Sequence, residues 1–157
     1  NICAGLAYAH GRAVIHRDIK PANIFVGKDR SVKLGDFGLA RVVREMSIRK
    51  TEIRGTPLYM APEQITGRDI DARADLYAVG CTFFELVTGR PPFIEGEILY
   101  AQLNEKPPNP MDLNPDVPPK IAELILQMIA KAAADRPANA DAVRTELRKI
   151  TSLALLG

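Results

Sequence analysis

The strongest constraint on this chain is a polar stretch, residues 16–23, which an Asp-Phe-Gly motif follows at residues 36–38. Two β-like runs separated by a polar turn lie between them, at residues 24–26 and 32–34. Two such runs around a turn predict a β-hairpin. The hairpin would fold Asp36 back beside Asp18 and Asn23, so that two carboxylates and one amide converge on a small space.

These side chains suit phosphoryl transfer. Asparagine and aspartate oxygens are hard ligands for Mg²⁺, which makes Asn23 and Asp36 a candidate metal site. A second carboxylate, Asp18, can accept a hydroxyl proton and orient the nucleophile. Lys20 can neutralise charge on the moving phosphoryl group. The alternative is that the carboxylates and the amide are turn or helix-cap residues.

Three short motifs occur along the chain: His16-Arg17-Asp18 with Asn23, Asp36-Phe37-Gly38, and Ala61-Pro62-Glu63. They resemble the catalytic loop, the metal-binding motif and the end of the activation segment of eukaryotic-type protein kinases. A lysine at position 20 resembles the pattern of the serine/threonine branch of this family. The sequence of residues 19–24 is most similar to that of its bacterial members. The resemblance predicts a mainly α (α+β) fold, the helical C-terminal lobe of a kinase with a short β-hairpin at the active site.

The resemblance implies catalytic roles for Asp18, Lys20, Asn23 and Thr56. Asp18 would orient a serine or threonine hydroxyl of a protein substrate and accept its proton. Lys20 would stabilise the transferred phosphoryl group. Lys20, Asn23 and Asp36 would form the binding set for the cofactors ATP and Mg²⁺, with the metal held by Asn23 and Asp36.

Residues 55–60 resemble the loop that seats the substrate residue following the phosphoacceptor. Within this loop, Thr56 would hydrogen-bond Asp18 and Lys20, with a simple turn hydroxyl as the alternative. Arg17 has two interpretations, a surface ion pair or a receptor for a phosphorylated activation loop. We favour the receptor, because a guanidinium binds phosphate through two parallel hydrogen bonds.

Residues 36–63 resemble the activation segment, and their central part is basic. Between residues 41 and 54 there are five Lys or Arg residues and two Glu residues, a net charge of 5 − 2 = +3. One interpretation is a solvated loop. The other is regulation, in which Ser47 or Thr51 accepts a phosphate amid basic partners. Glu52 lies where some kinases carry the regulatory phosphothreonine, and it would act as a partial substitute for that phosphate.

The resemblance assigns structural roles to six further residues: His16, Phe37, Gly38, Glu63, Asp75 and Arg136. Of these, His16 would support the catalytic loop rather than act as a general base. Asp75 would accept hydrogen bonds from the backbone of that loop, with a charge favoured by the start of a helix as the alternative. Glu63 would form a buried ion pair with Arg136.

Composition limits the class of protein. The chain has 157 residues, a formal net charge of +2 and 46% hydrophobic residues. That charge is too small to argue for a nucleic-acid partner, and no apolar run is long enough to span a bilayer. Cys3 and Cys81 lie in apolar contexts and are predicted to be buried thiols. The expected location of the kinase domain is the cytoplasm.

Apolar periodicity predicts helices at residues 1–11, 71–87 and 94–103, another from Pro119, and a last one capped by Asn139. Gly89 would end the second of these helices. Residues 104–119 carry six of the 12 prolines and are predicted to be an irregular connector. A short strand is expected at residues 14–15.

The motifs place the whole chain, residues 1–157, in the C-terminal lobe, with a catalytic loop at 16–23 and an activation segment at 36–63. The glycine-rich loop and strand lysine of the other lobe have no counterpart in this sequence. The chain is therefore expected to be part of a serine/threonine kinase, with its N-lobe missing and negligible activity alone. Two alternatives stay open: a non-catalytic module that binds substrates or partners, and a small-molecule phosphotransferase.

Overall fold

The computed structural model describes residues 1–35, 41–42 and 57–154, with the side chains of residues 41–42 and 153–154 excepted. The fold is mainly helical with a few short strands, as predicted. Its helices are α1 (Ile2–His10), α2 (Pro62–Thr66), α3 (Arg73–Thr88), α4 (Ile98–Asn104), α5 (Pro110–Leu113), α6 (Pro119–Met128) and α7 (Ala140–Ala154). The strands are β1 (Val14–Ile15), β2 (Ile24–Val26), β3 (Val32–Leu34) and β4 (Arg41–Val42).

Helix α3 forms the centre of the core, and its residues from Ala74 to Thr82 are all buried. The helix begins at Arg73, whose backbone N–H donates to the side chain of Asp71. It ends at Gly89, which has a φ of +82° and so adopts the left-handed conformation that glycine tolerates best. The predicted end is therefore confirmed, and the start lies two residues later than predicted.

Two clusters of apolar side chains pack against α3. In the first, Leu76 and Val79 meet residues of α1, α6 and α7, including Leu6, Met128 and Val143. In the second, the other side of α3 packs mainly on α6 through the side chains of Tyr77, Phe84, Ile125 and Ile129. Burial on both sides explains why apolar residues cover most of the circumference of this helix.

The predicted hairpin is present. Strands β2 and β3 pair antiparallel, with Ile24 opposite Leu34 and Val26 opposite Val32. The backbone N–H of Gly35 then donates to the carbonyl of Asn23, which brings the end of the hairpin beside the catalytic loop.

Strand β4 was not predicted. It pairs antiparallel with β1, with Val14 opposite Val42 and Ile15 opposite Arg41. This pairing places the first two residues of the 41–54 stretch in a strand, whereas one of the two sequence interpretations made the whole stretch a solvated loop.

The proline-rich segment contains one turn of helix rather than being irregular throughout. Helix α5 begins after Asn109, whose side chain accepts a hydrogen bond from the backbone N–H of Met111 at 3.0 Å. Pro110 is compatible with a helix at its first position, where no backbone N–H is needed. The composition of the segment concealed this short helix.

Helix α4 begins at Ile98, not at Ile94 as predicted. Gly96 adopts a φ of +68°, a left-handed conformation that cannot continue a right-handed helix. The two later helices begin as predicted, with Pro119 opening α6 and the Asn139 side chain accepting from the Ala142 N–H at 2.9 Å. Both cysteines are buried.

Across the described ranges, no helix combines the length and apolar character needed to cross a membrane.

Candidate active site

The catalytic loop is built around the buried ring of His16. Its Nε2 lies 3.0 Å from the carbonyl oxygen of Gly35, and its Nδ1 lies 3.3 Å from the backbone nitrogen of Asp18. A carbonyl only accepts and a backbone N–H only donates, so Nε2 carries the proton and Nδ1 accepts. His16 thus joins the loop to the end of the β2–β3 hairpin.

Asp75 supports the loop from below. This carboxylate is completely buried, and it accepts backbone hydrogen bonds from His16 at 2.9 Å and from Arg17 at 2.8 Å. His10 adds a contact of 2.8 Å from its Nε2. Burying a carboxylate is costly unless such partners compensate for the lost water. Asp75 also lies in the first turn of α3, so both sequence interpretations describe its surroundings.

The hydrogen bonds that Asp75 accepts from the backbone N–H groups of His16 and Arg17 hold Arg17 in an unusual conformation. Arg17 has a φ of +69°, in the left-handed region that side chains other than glycine disfavour. Such strain costs on the order of 1–3 kcal/mol and persists only where the surroundings enforce it. The loop therefore bends sharply just before Asp18.

Asp18, Lys20 and Asn23 come together at the end of this bend. The Lys20 ammonium lies 2.8 Å from the Asp18 carboxylate. The amide of Asn23 donates to the backbone carbonyl of Asp18 at 2.8 Å and to its carboxylate at 3.2 Å. Because nitrogen is the atom turned to Asp18, the amide oxygen is the atom of Asn23 that can bind Mg²⁺.

Glu63 and Arg136 form the ion pair that the sequence predicts. The guanidinium donates to both carboxylate oxygens, at 2.6 Å and 2.9 Å. Arg136 also donates to the backbone carbonyls of Arg73, Ala130 and Lys131. One side chain therefore connects α2 to the start of α3 and to the segment that follows α6.

A model of the protein kinase domain matches residues 1–147 of this chain. The chain belongs to the protein kinase family. This match agrees with the three motifs and with the arrangement of Asp18, Lys20 and Asn23.

Curated relatives of this kinase chain are bacterial serine/threonine-protein kinases. Serine/threonine-protein kinase PknB of Mycolicibacterium smegmatis is 36% identical over 154 residues, which cover 94% of this chain and 25% of that protein. Serine/threonine-protein kinase pkn3 of Myxococcus xanthus is 40% identical over 163 residues, covering 95% and 30%. PknL of Mycobacterium tuberculosis is 40% identical over 153 residues, covering 95% and 38%. The chain thus spans a quarter to two fifths of the length of these relatives.

Six residues assigned to the site from sequence lie outside the described part of the structure: Asp36, Phe37, Gly38, Ser47, Thr51 and Thr56. Asp36 directly follows Gly35, whose backbone bonds to both Asn23 and His16. The roles of these six residues, and that of Arg17 as a phosphate receptor, remain predictions.

The sequence reasoning missed two residues that support the site. Gln64 is buried, accepts from the backbone N–H of Ala61 at 3.1 Å and donates to the carbonyl of Arg17 at 3.1 Å. His10 contacts the Asp75 carboxylate, and nothing in the sequence analysis pointed to this residue. No spacing rule marks either residue, because the contacts join segments that are distant in sequence.

Proposed function

We propose that this chain is the C-terminal lobe of a serine/threonine protein kinase domain that transfers the γ-phosphoryl group of ATP to protein hydroxyls. The observation that carries the proposal is the group of Asp18, Lys20 and Asn23 on a loop that Asp75 holds from within the core. The residue types match phosphoryl transfer, in which catalysis is mostly positioning and charge stabilisation.

In the proposed mechanism, the Asp18 carboxylate orients the substrate hydroxyl and accepts its proton. Asn23 holds that carboxylate through its amide nitrogen, and Lys20 places a positive charge beside it. The Lys20 charge then compensates the negative charge of the phosphoryl group in flight.

The amide oxygen of Asn23 and the carboxylate of Asp36 would hold Mg²⁺, and both are oxygen ligands of the kind this ion prefers. When bound, the ion neutralises charge on the phosphates of ATP. We further propose that residues outside this chain grip the nucleotide, since no glycine-rich loop occurs in its sequence.

The test is Asp18→Asn in the encoded protein, meaning this chain with any residues that flank it. Transfer of labelled γ-phosphate to a protein substrate should fall by about 100-fold or more, because the hydroxyl loses its base. The melting temperature should change little. The matched control is Asp112→Asn, an exposed carboxylate on α5, which should leave transfer unchanged.

Undiminished transfer by Asp18→Asn would overturn the assignment of Asp18. If the unmodified protein phosphorylates small molecules but no protein, the phosphotransferase alternative holds. If it transfers phosphate to neither and still binds protein partners, the non-catalytic module is the correct interpretation.

A further inference from the structure

Gln102 on α4 contacts residues 57 and 58, within the loop that the kinase resemblance assigns to substrate seating. Its side-chain nitrogen donates to the carbonyl oxygens of Pro57 at 3.0 Å and Leu58 at 2.9 Å. We propose that Gln102 is a positioning residue that sets which substrate residue is accepted after the phosphoacceptor. This inference rests on the proposed function, because it concerns the same loop.

The Gln102 side chain has no exposed surface. A primary amide has two N–H donors, and both are used on successive carbonyls of one short segment. Since carbonyls only accept, the amide nitrogen must face them, and the amide oxygen must face the opposite way. Gln102 therefore fixes the direction of two peptide units in residues 57–60, the described part of the seating loop.

Tyr77 holds the amide in this orientation. Its hydroxyl donates to Oε1 of Gln102, and both side chains are completely buried. Burial raises the pKa of Tyr77 well above its ordinary value, so the hydroxyl stays protonated and remains a donor. Tyr77 belongs to α3, the central helix, so Gln102 ties the seating loop to the core.

Lys131 holds the backbone of the same residue. Its ammonium donates to the carbonyl of Ala101 at 2.9 Å and to that of Gln102 at 2.8 Å. It also lies 4.3 Å from the centre of the Phe93 ring, a favourable cation–π distance. Both the backbone and the side chain of Gln102 are therefore fixed from outside α4.

A second anchor lies just after the loop, on α2. Arg136 binds Glu63 and also donates to the carbonyl of Lys131 at 3.0 Å. Its guanidinium lies 4.9 Å from the centre of the Tyr77 ring. Residues 57–58 and Glu63 thus attach to one connected group of side chains. The backbone geometry between them is set by the core rather than by the loop itself.

The first test is Gln102→Met in the encoded protein, because methionine has a similar shape and no amide. The substrates are peptides that differ only in the residue following the phosphoacceptor. We expect the KM for the preferred peptide to rise by about tenfold, because the two hydrogen bonds to the carbonyls of residues 57 and 58 are lost. The ratio of kcat/KM between the preferred peptide and the others, which measures peptide discrimination, should fall. The KM for ATP and kcat should stay within about twofold of their original values.

The second test is Tyr77→Phe, which removes one hydroxyl and makes no change in residues 57–60. It should also lower the ratio of kcat/KM between the preferred peptide and the others. The double variant with Gln102→Met should show no further decrease in this ratio. The control for general destabilisation is Val143→Ala, at a buried position on α7. This control should lower the melting temperature without changing peptide discrimination.

If the unmodified protein phosphorylates no peptide, the proposed function fails. If it is active and Tyr77→Phe and Gln102→Met keep its full peptide discrimination, the proposal for Gln102 is overturned. It is equally overturned if both variants only lower kcat and melting temperature, as a merely structural role predicts. If Gln102→Met does not fold, the discrimination measured for Tyr77→Phe decides the question.

Discussion

At the scale of single residues, buried polar side chains determine the shape of the candidate site. Asp75 accepts hydrogen bonds from His16 and Arg17, and it contacts His10. His16 in turn joins the catalytic loop to Gly35. The geometry of Asp18 thus depends on groups that lie behind the catalytic loop.

Asp75→Asn should destabilise the protein. The amide keeps one acceptor oxygen, but its nitrogen faces a backbone N–H and leaves that donor unsatisfied. We expect a loss of about 2–4 kcal/mol. The melting temperature should fall by several degrees, and phosphoryl transfer should weaken because Arg17 is no longer held at its positive φ.

The control for this change is Asp116→Asn, an exposed carboxylate before α6. It should leave both the melting temperature and the transfer rate unchanged. A melting temperature for Asp75→Asn within one degree of the original, as for the control, would show that the buried carboxylate is not needed to hold the loop.

At the scale of secondary-structure elements, the core depends on the close approach of α3 and α6. Gly80 lies at the contact, and a methyl group added there would sit 2.7 Å from the Ile129 side chain and 2.8 Å from the Met128 Cβ. Neither atom is the end of a long flexible chain. The two helices therefore approach each other closely because one position on α3 has no side chain.

Gly80→Ala should force α3 and α6 apart. Overpacking of this kind costs about 1–3 kcal/mol, which denaturant unfolding of the encoded protein would detect. The matched variant is Gly5→Ala on α1, where a methyl group meets nothing within 4 Å. That change should instead stabilise the protein by about 0.5–1 kcal/mol, because alanine favours a helix. Equal effects of the two substitutions would contradict this account of the α3–α6 contact.

At the scale of the whole molecule, the burial of protonated cysteine and tyrosine side chains makes the stability of the fold decrease at alkaline pH. Burial raises the pKa values of Cys3, Tyr59, Tyr77 and Cys81, which therefore keep their protons in the folded state. The unfolded chain releases those protons at lower pH. Above about pH 9 the unfolded state consequently binds fewer protons than the folded state, and stability is lost as pH rises.

Lys131 acts in the opposite direction. Burial lowers its pKa from 10.5 to about 8, so between these values the unfolded state binds more protons and stability rises with pH. The four buried acids change stability in the opposite sense to this one half-buried amine. Their combined effect on the pH dependence of the free energy of unfolding should exceed that of Lys131.

We therefore expect the free energy of unfolding to fall between pH 9 and pH 10.5, as measured by denaturant titration at several pH values. Cys81→Ala should make that fall shallower, because one buried acid is removed. Val79→Ala, a buried and uncharged neighbour on α3, should lower stability equally at every pH. A free energy that rises over this range would mean that Lys131 dominates.

Much of the fold could be predicted because its signals are local. The hairpin, the end of α3 at Gly89, the start of α6 and the cap of α7 each depend on a few neighbouring residues. Two of the errors occurred where a distant partner or a single backbone angle intervened. Strand β4 needs β1, and α4 begins late because of the φ of Gly96.

The sequence by itself determined the family, the order of the motifs and the residue types that suit phosphoryl transfer, because these depend on short-range spacing. Only the tertiary structure decided what holds those residues in place. It brought His10 to Asp75, Gln64 to the carbonyl of Arg17, and Gln102 to the carbonyls of residues 57 and 58. The physical reason is that a buried polar group takes its partners from whichever segments folding brings within hydrogen-bond distance, and spacing along the chain does not encode that choice.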